Sequence, residues 1–328
     1  MKTNKNTCYI PIMNIDIDHI RLLHLLVRHD MVLSRAAEAL KLSQPSASRK
    51  LKELESALGL PLIKRKGKRF DGLTPFATRI MGDVETIDTA LNNINRLARE
   101  QKAEAQEVLS VATTHAQARY FLPAIIERFQ AKWPKVEFKI HQDMPANITD
   151  LVKRGEVDVA VCTEAVACEP DLVFEPGYEW QHCVCVPQNH ALASGPLDMT
   201  RIAEHPILTY VSGITERKAL EAAFSEQGVS LNVAIAATDT DVLKTFIRMG
   251  LGCGLIGSMS YDVAQDKDLV IRPIGGLPRF RISTAWKKGR YLPPYVRAFI
   301  EMVKRESPYF EAKIEQNLYA FETPSDTH

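Results

Sequence analysis

The first clear hydrophobic pattern in the chain is a stripe within residues 17–27. Its apolar positions are Ile17, Ile20, Leu23, Leu26 and Val27. They recur every three to four residues, which is the spacing of one face of an α-helix. Two further helices are predicted over residues 34–40 and 44–58, separated by a short polar turn, and Gly59 ends the longer one. The pattern therefore predicts a helix that packs against a helix-turn-helix.

The turn and the start of the longer helix carry residues suited to helix initiation and to contacts with DNA. Ser43 is a candidate N-cap, because its hydroxyl can accept a backbone N–H that lacks a partner in the first turn. Pro45 is tolerated there because first-turn N–H groups have no intrahelical acceptor to lose. Polar side chains at such a helix start can bond phosphates and base edges. The predicted DNA contacts in the helices are Ser34, Arg35, Ser43, Gln44, Pro45, Ser46, Ser48, Arg49 and Lys52.

A basic hairpin is predicted directly after the helix-turn-helix. Two segments that could form short strands, 60–65 and 70–73, flank a turn at residues 66–69. A run of charge is usually only a solvated face, but a basic hairpin in this position favours a wing that lies along phosphates. Its basic residues are Lys64, Arg65, Lys66, Lys68 and Arg69.

A long amphipathic helix is predicted from Thr74, a candidate N-cap, through Pro75 in the first turn to about residue 104. Its apolar positions alternate spacings of four and three, which is typical of a coiled-coil seam. Such a stripe can also be buried against its own domain. Because this helix connects two domains, pairing with a second copy of the chain is the favoured interpretation. The predicted dimer contacts are Ile80, Val84, Ile87, Leu91 and Ile94.

From Val108 the pattern changes to strands that alternate with helices. The order over residues 108–161 is βαβαβ, which predicts a parallel sheet with right-handed crossovers. A similar unit is predicted over residues 182–256, and the last strands and helix, up to about residue 304, are expected to complete the first unit. Two such lobes enclose a cleft, and ligands of open α/β sheets bind beyond the carboxyl ends of strands, at helix N-termini.

Charge is unevenly distributed along the 328 residues, although the whole chain has a net charge of only +1. Residues 1–75 contain 14 Lys and Arg against 7 Asp and Glu, so they carry +7 and the remainder carries −6. A basic head on a mildly acidic body favours nucleic-acid binding by the head. The predicted segments are a flexible extension (1–14), a DNA-binding domain (15–74), a linker helix (75–104), a ligand-binding domain (107–315; lobe I about 107–181 and 276–315, lobe II about 182–275) and a tail (316–328).

The sequence favours a cytoplasmic protein. No stretch approaches the roughly 20 apolar residues that span a bilayer, and the N-terminal residues lack the apolar core of a signal peptide. The six cysteines form no metal-binding spacing with each other or with histidine. Cys183 and Cys185 are predicted on one face of a strand, where they are poorly placed to bond each other. Reduced thiols, no metal and no membrane contact are expected.

Threonines where strands end or helices begin indicate a small-anion site. These residues are Thr113, Thr114, Thr163 and Thr215. A single threonine at such a junction is most often an N-cap, but four at equivalent positions favour hydroxyls that converge with free N–H groups on one anion. Arg119 and Arg217 either add charge to this pocket or form surface ion pairs.

Catalysis is not supported by the residues. His115 with Glu164 could be an acid–base pair, but the chain has no nucleophile elbow, metal-ligand pair or phosphate loop, so His115 is expected to be a pocket wall or a helix start. Asp239 and Asp241 are expected to cap the following helix. Lys244, one turn later, is a candidate to pair with them or to contact a partner. An enzyme that uses the cleft and a solute-binding transport component are the alternatives from other classes.

The head resembles LysR-type transcriptional regulators over about residues 17–76. The matching residues are Ala36-Ala37, Leu40, Ser43-Gln44-Pro45, Leu51, Leu54-Glu55, Leu58-Gly59, Leu62, Arg65 and Leu73-Thr74. Ile63 stands where the family usually has Phe, and Phe76-Ala77 replaces its Ala-Gly. The resemblance implies an α/β protein that is not an enzyme, with a winged helix-turn-helix head, a linker helix and a two-lobed effector domain of the periplasmic-binding-protein (type II) kind.

The body resembles the branch of that family that activates cysteine-regulon and sulfur-assimilation genes and includes CysB and Cbl. The matching segments are 112–120, 162–165, 213–217, 238–245 and 250–254. The resemblance implies promoter DNA and RNA polymerase as partners, homodimers or homotetramers, and no cofactor other than a small effector. That effector is expected to be sulfate, thiosulfate or an acetylserine-like compound, and an organic acid of an unrelated pathway is the alternative.

The resemblance also places an effector site in the cleft. By resemblance, the anion site is lined by Thr114, Gln117, Thr163, Trp180 and Thr215. Ala116 stands where the branch commonly has a threonine, so one hydroxyl donor is missing and the inducer stays open. The full predicted effector site is Thr113, Thr114, His115, Ala116, Gln117, Thr163, Glu164, Trp180 and Thr215.

Overall fold

The computed structural model describes residues 14–67, 69–101, 107–163, 169–214 and 216–320. The chain divides into two compact units: one contains the described residues up to 101 together with Gly289–Tyr291, and the other contains the remaining described residues from 107 onwards. Several predictions lie outside the described residues. They concern residues 1–13, Lys68, the boundary at 102–106, Glu164, Thr215 and the tail after residue 320.

Three helices form the head: α1 (Ile17–Arg28), α2 (Leu33–Ala39) and α3 (Gln44–Leu58). Their shared core consists of Leu22, Leu23, Leu26, Ala36, Ala37, Ala47, Leu51 and Leu54. Ile17 was predicted to belong to this core but is exposed. At about 100° per residue, Ile17 lies opposite Leu26 around the helix, so it cannot face the same neighbours.

The predicted start and end of α3 are confirmed. The Ser43 hydroxyl accepts the backbone N–H of Ser46 at 3.3 Å, and Pro45 lies in the first turn. Gly59 ends the helix with φ 67°, a left-handed conformation that costs glycine little. Local cap chemistry therefore defines where this helix starts and stops.

The basic hairpin is also present, with slightly different bounds. β1 (Ile63–Lys66) pairs antiparallel with β2 (Arg69–Leu73). Glu55 connects the hairpin to α3, because its Oε1 atom accepts the backbone N–H of Leu62 at 2.8 Å and that of Ile63 at 3.3 Å. The wing is thus held at a defined position beside the longer helix of the helix-turn-helix.

The linker helix α4 (Pro75–Glu100) starts where predicted, with Thr74 accepting the N–H of Ala77 at 3.2 Å. Its predicted seam divides into two parts. Val84 is only 2% exposed because it packs in the head's own core, and Ile80 packs against that core. The later positions Ile87 and Ile94 are exposed. The head therefore covers the first part of the seam, and only the second part is open to a partner helix.

A buried carboxylate connects α4 to α1. Asp88 lies 3.2 Å from Nδ1 of His24 and 3.6 Å from Nε of Arg21. Burial alone would raise the pKa of Asp88, but the interaction with His24 and the charges of Arg21 and Arg28 outweigh it and lower the pKa below its ordinary value. The charged form of Asp88 is thus the form that stabilises the head.

The effector domain contains a mixed sheet with the order β4-β3-β5-β11-β6-β9-β7-β8, and β10 pairs with β6. Its strands are β3 (Val108–Thr113), β4 (Glu137–Gln142), β5 (Val159–Thr163), β6 (Leu172–Pro187), β7 (Ile207–Tyr210), β8 (Val233–Ala237), β9 (Cys253–Gly257), β10 (Leu269–Pro273) and β11 (Arg279–Lys287). The parallel pairing predicted for the first unit is confirmed between β3 and β4 and between β3 and β5. β11 returns to β5, as expected for a strand that completes lobe I.

Strand β6 is much longer than the predicted segment 182–186. Its first part pairs with β11 in lobe I, and its last part pairs with β9 and β10 in lobe II. Pro176 and Gly177 lie in the first part, and these residue types usually interrupt strands. The ladder accommodates them with a register shift between Arg281 and Ser283 of β11.

Helices cover both lobes. They are α5 (Leu122–Lys132), α6 (Pro145–Lys153), α7 (Met199–Ala203), α8 (Arg217–Glu226), α9 (Thr240–Arg248) and α10 (Pro294–Tyr319). A π-helical turn, Gln117–Phe121, leads into α5. The prediction that the last helix ends near residue 304 was wrong: α10 continues through Pro308, and its Ile314 and Leu318 side chains are buried in the core.

Lys244 pairs with Asp266 and not with Asp239 or Asp241, the partners that the sequence suggested. It is 2% exposed, and its Nζ atom lies 2.5 Å from Oδ2 of Asp266. Arg248, one turn later on α9, contacts the other oxygen of Asp266 at 2.7 Å. The lysine points inward because Leu243 and Ile247 turn that face of α9 towards the core. A buried charge pair therefore anchors α9 to the loop before β10.

We expect Asp88→Asn to lower the free energy of unfolding of the head by about 1 kcal/mol at neutral pH, since it removes a charged hydrogen-bond acceptor. Because folding lowers the pKa of Asp88, this stabilisation is present above the unfolded pKa of about 3.9 and is lost as the pH falls through the folded value. Hydrogen exchange of α1 peptides, followed by mass spectrometry between pH 7 and pH 3, measures the difference. Asp83→Asn, at an exposed position of α4, is the control. A difference that grows on acidification would contradict the assignment.

We expect Lys244→Met to lower the free energy of unfolding of the effector domain by about 3 kcal/mol, because it leaves a buried carboxylate with one partner fewer. Arg248→Met should cost about 1 kcal/mol, because Arg248 is partly exposed and its pairs are screened by water. Denaturant unfolding followed by tryptophan fluorescence reports on this domain, since Trp133, Trp180 and Trp286 all lie in it. Equal losses for the two variants would contradict the ranking.

Candidate functional sites

The predicted DNA contacts that the structure describes lie on the exposed surface of the head. They come from the starts of α2 and α3 and from the wing, and a groove of about 750 Å³ runs between these elements. The groove is lined by Asp30, Met31, Val32, Leu33, Ser34, Gln44, Pro45, Ser48, Arg65, Arg69 and Phe70. The Arg65 guanidinium lies 4.9 Å from the centre of the Phe70 ring, which holds it at the groove.

Two other basic residues of the head, Lys50 and Arg49, form ion pairs with acidic residues of the head. Lys50 Nζ lies 3.2 Å from Asp16 and 3.3 Å from Asp18, so this charge is neutralised against α1. Arg49, a predicted DNA contact, pairs with Glu53 one turn away at 3.3 Å but stays exposed. An exposed pair of this kind contributes little to stability, so phosphate can replace Glu53 at small cost.

A cavity of about 250 Å³ lies in the cleft between the two lobes of the effector domain. Lobe I contributes Thr114, His115, Ala116, Gln117, Gln142, Asp143, Met144, Pro145 and Thr163. Lobe II contributes Tyr210, Ile214, Thr238, Asp239, Thr240 and Met259. The lobe I residues follow the carboxyl ends of β3 and β4 or end β5, which is where open α/β sheets bind ligands.

Three buried polar atoms at this cavity have no hydrogen-bond partner among the described atoms. One is His115 Nε2, which lies 3.0 Å from Asp239 without hydrogen-bond geometry. The other two are the Thr163 hydroxyl, on a residue 4% exposed, and the Nε2 amide of Gln117, a residue with 0% exposure whose Oε1 accepts the hydroxyl of Tyr178. A buried donor without a partner costs about 1–3 kcal/mol. A ligand acceptor at this point would recover that cost.

Two predicted effector residues lie elsewhere. The Thr113 hydroxyl donates to the carbonyl oxygen of Val161 at 2.7 Å and so joins β3 to β5. The ring of Trp180 packs against those of His182 and Phe280, with centroids 5.3 and 5.0 Å away, and belongs to the core. Neither residue lines the cavity. In this structure both have structural roles and not the predicted effector contacts.

The two arginines considered for the pocket form ion pairs instead. Arg119 lies 3.2 Å from Asp241 and donates to Gln265 at 3.0 Å. Arg217 is buried, donates to the carbonyl oxygen of Tyr210 at 2.5 Å and pairs with Glu221 at 2.6 Å. Neither is among the described residues that line the cavity. The polar groups of the described lining are neutral side chains, the carboxylates of Asp143 and Asp239 and the imidazole of His115.

Contacts between the lobes lie beside the cavity. His115 Nε2 is 3.0 Å from Asp239, and the Tyr120 hydroxyl donates to Asp241 at 2.5 Å. Burial and the neighbouring carboxylate of Asp241 raise the pKa of Tyr120, so its hydroxyl stays protonated and keeps donating. Lys244 Nζ lies 3.2 Å from the same hydroxyl. A short polar network therefore joins residues 115–120, the helical segment that leads into α5 of lobe I, to α9 of lobe II.

The same network supplies the one candidate metal cluster among the described residues. Ligand atoms of His115, Asp239 and Asp241 lie within 4.8 Å of one another. Asp241 is already engaged by Tyr120 and by the Arg119 cation, and Asp239 accepts the N–H groups at the start of α9, as the predicted cap. These contacts account for both carboxylates, so the arrangement is an ion-pair network.

The sequence analysis missed several cavity residues. Tyr210 and Met259 lie in apolar segments, which carry no signal for a binding site. The sequence did contain a signal at Asp143, because an aspartate shortly before a proline is a pattern for the start of a helix. Its Oδ1 atom accepts the N–H of Met144 at 2.7 Å, just before Pro145 opens α6. A search for capping residues at every strand-to-helix junction could have found Asp143.

The described cysteines are buried thiols. Cys162, Cys183, Cys185 and Cys253 are free and unexposed. Burial raises the pKa of the Cys185 thiol to about 12, so the reactive thiolate is scarcely populated at neutral pH. These four thiols therefore behave as apolar core atoms. Cys8 and Cys168 lie outside the described residues.

Among the described helices, none combines the length and the apolar character that a membrane-spanning segment needs.

Two sequence families match the chain. Residues 17–78 match a bacterial regulatory helix-turn-helix of the lysR family, and residues 102–308 match the LysR substrate binding domain. A winged DNA-binding head joined to a two-lobed ligand-binding domain defines the class as a one-component transcriptional regulator. The chain belongs to the LysR family of transcriptional regulators, and its relatives in that family are regulators rather than enzymes.

Curated relatives point to one branch of the family. The chain is 35% identical over 295 residues to the transcriptional regulator CysB of Burkholderia cenocepacia, covering 89% of this chain and 93% of that protein. It is 37% identical over 280 residues to SsuR of the same organism, covering 84% and 90%. It is 35% identical over 279 residues to cbl of Escherichia coli, covering 84% and 88%.

Solved structures agree on the fold. The cofactor-binding domain of the Cbl transcriptional regulator is 32% identical, covers 66% of this chain and 95% of its own, and has a TM-score of 0.58. A full-length OxyR variant from Pseudomonas aeruginosa is 19% identical, covers 88% and 97%, and has a TM-score of 0.64. The predicted combination of helix-turn-helix head and two-lobed effector domain is thereby confirmed.

We expect Thr163→Val to leave the free energy of unfolding unchanged or slightly higher, because the lost hydroxyl has no partner among the described residues and the new methyl group fills the same space. Thr113→Val is the matched variant and should cost about 1 kcal/mol, since it breaks the hydrogen bond to Val161. Denaturant unfolding followed by tryptophan fluorescence compares the two. A larger loss for Thr163→Val would mean that its hydroxyl already has a partner.

Proposed function

We propose that this regulator binds a small sulfur-metabolism effector in its cleft and thereby controls genes of sulfur assimilation and cysteine biosynthesis. The candidates are sulfate, thiosulfate and acetylserine-like compounds. The observation that carries the proposal is the pair of buried, unpartnered donors, Gln117 Nε2 and the Thr163 hydroxyl, at one cavity between two lobes. The sulfur assignment is supported by relatives named CysB, SsuR and cbl.

In the proposed DNA complex, the first turns of α3 enter the major groove, where the Gln44 and Arg49 side chains can reach base edges. The wing residues Lys64, Arg65, Lys66 and Arg69 lie along phosphates. This division of labour is supported by the open groove between α2, α3 and the wing. The protein would act on double-stranded promoter DNA in the cytoplasm.

Assembly is proposed through the open part of the linker helix. Ile87 and Ile94 are exposed at heptad spacing on α4, and Leu91 lies between them in the same seam. A second copy that covers these side chains would form a dimer whose two heads read two half-sites, and pairing of dimers would give a tetramer. RNA polymerase is the proposed partner of the effector-loaded form.

Wing substitutions test the DNA-binding part of the proposal. We expect Lys64→Ala and Lys66→Ala each to weaken binding to a palindromic sulfur-gene promoter fragment and to reduce the salt dependence by about one counterion, because each removes one phosphate contact. Gel-shift titrations at several salt concentrations give the slope. Lys50→Ala is the matched control, since Lys50 is already paired with Asp16 and Asp18, and it should leave the slope unchanged.

The same titrations, repeated with added effector, test the sensing part. Sulfate, thiosulfate or an acetylserine should change the affinity or the pattern of the promoter complex, and Thr163→Val should weaken that response. A response to aromatic acids alone would overturn the sulfur assignment and leave the DNA-binding assignment intact.

A further inference from the structure

We propose that the effector domain contains a second ligand site, separate from the cleft, where the chain passes between the two lobes. It passes once along β6 and once through residues 274–278, between β10 and β11. The ligand that this site fits is an organic anion, consisting of a carboxylate on a small apolar body. The inference does not depend on which effector occupies the cleft.

The site is a pocket of about 500 Å³, called the crossing pocket below. Its lining includes Gln181 of β6, the pair Gly275 and Gly276 between β10 and β11, Arg272 of β10 and Tyr319 of α10. It shares no described lining residue with the cleft cavity. A ligand bound in the crossing pocket therefore has its own set of contacts.

Arg272 gives the crossing pocket a positive charge. It is the one charged side chain in the described lining. Its guanidinium donates to the carbonyl oxygens of Leu192 at 3.0 Å and Gly195 at 2.7 Å, and these bonds use two of its five N–H groups. Carbonyl oxygens do not neutralise the cation. The remaining N–H groups therefore favour an anionic partner, and a carboxylate fits the planar guanidinium.

Gln181 offers a second polar contact in the same pocket. The residue is only 9% exposed, and its backbone N–H donates to the hydroxyl of Ser258 at 3.2 Å. Its side-chain amide makes no hydrogen bond to any described residue. Buried polar groups are nearly always hydrogen-bonded, so this amide is available to a molecule in the pocket. Its NH₂ group can donate to the same anionic ligand.

The rest of the lining provides space and apolar surface. A Cβ atom at Gly275 would meet nothing within 4 Å, and Gly276 has φ 79°, a left-handed conformation suited to glycine. Glycines of this kind let a ligand approach the backbone closely. Pro196, Leu197 and the ring of Tyr319, which is 46% exposed, can cover the carbon atoms of the ligand.

The position of the crossing pocket connects it to movement between the lobes. Gln181 lies on the first passage between the lobes, and Gly275 and Gly276 lie on the second. A molecule that contacts both passages stabilises the lobe arrangement in which it makes both contacts. The crossing pocket is therefore placed to modulate the lobes without entering the cleft.

Hexanoate and hexanamide test the charge requirement, because they have the same carbon chain and only hexanoate is an anion at neutral pH. We expect the full-length protein to bind hexanoate at least ~10-fold more tightly than hexanamide, as measured by calorimetry. Arg272→Gln should weaken hexanoate binding by ~10-fold to 100-fold and leave hexanamide binding unchanged. Arg272→Lys keeps the charge and should restore part of the affinity.

Arg201→Gln is the matched control. Arg201 also holds residues 191–196, because it donates to the carbonyl oxygen of Ala191 at 2.8 Å and to that of Pro196. It does not line the crossing pocket, so its replacement should leave hexanoate binding unchanged. Gln181→Met keeps a similar volume and removes no hydrogen bond to a described side chain. It should leave the fold intact and weaken hexanoate binding by ~2-fold to 10-fold.

Three results would overturn the inference. Equal losses in Arg272→Gln and Arg201→Gln would mean that both arginines act only through residues 191–196. Hexanoate binding that survives Arg272→Gln would locate the carboxylate elsewhere. Failure of the wild-type protein to bind hexanoate up to ~10 mM would exclude the site as such. None of these results changes the assignment of the cleft or of DNA binding, because the crossing pocket shares no described residue with either.

Discussion

The effector domain depends on one strand that belongs to both lobes. β6 pairs with β11 over its first part and with β9 and β10 over its last part, so the backbone hydrogen bonds of both lobes meet on one continuous segment. Gly177 makes the first part fit, because a Cβ atom there would lie 2.8 Å from the carbonyl oxygen of Ile282. The chain crosses again between β10 and β11. Two crossings allow the lobes to tilt but keep the cavity walls facing each other.

The charged side chains near the two crossings between the lobes are paired with other groups of the protein. Lys244 and Arg248 share Asp266, and Tyr120 and Arg119 share Asp241. A buried ion such as Lys244 is tolerated only when it is paired, and Arg119 and Arg248 are engaged by Asp241 and Asp266. These three cations are therefore not among the described residues that line the cavity. What remains at the cavity is a set of neutral donors, helix ends, His115 and the carboxylates of Asp143 and Asp239. The electrostatics of the cavity thus follow from how the lobes are held together.

Much of the head could be predicted from the sequence because its signals are local. The Ser43 cap and the helix end at Gly59 each depend on a few neighbouring residues. The cleft was predicted less completely, since its members are selected by contacts between distant segments. Thr113 and Thr114 are adjacent at a strand end, and only the neighbouring strand decides that the Thr113 hydroxyl is captured by Val161. The full length of β6 was missed because its pairing with β11 overrides the interruption expected at Pro176.

The position of the cavity explains how a small effector could alter the whole effector domain. A ligand shifts an equilibrium between lobe arrangements only by its difference in affinity for them. Shifting a population from 1:99 to 99:1 requires about 5.5 kcal/mol, whereas one hydrogen bond to a charged group supplies about 1.5–3 kcal/mol. About two to four contacts made only in one arrangement are therefore sufficient. Gln117 and Thr163 lie on one lobe and Asp239 on the other, so a ligand that touches all three makes its full set of contacts only when the lobes are close together.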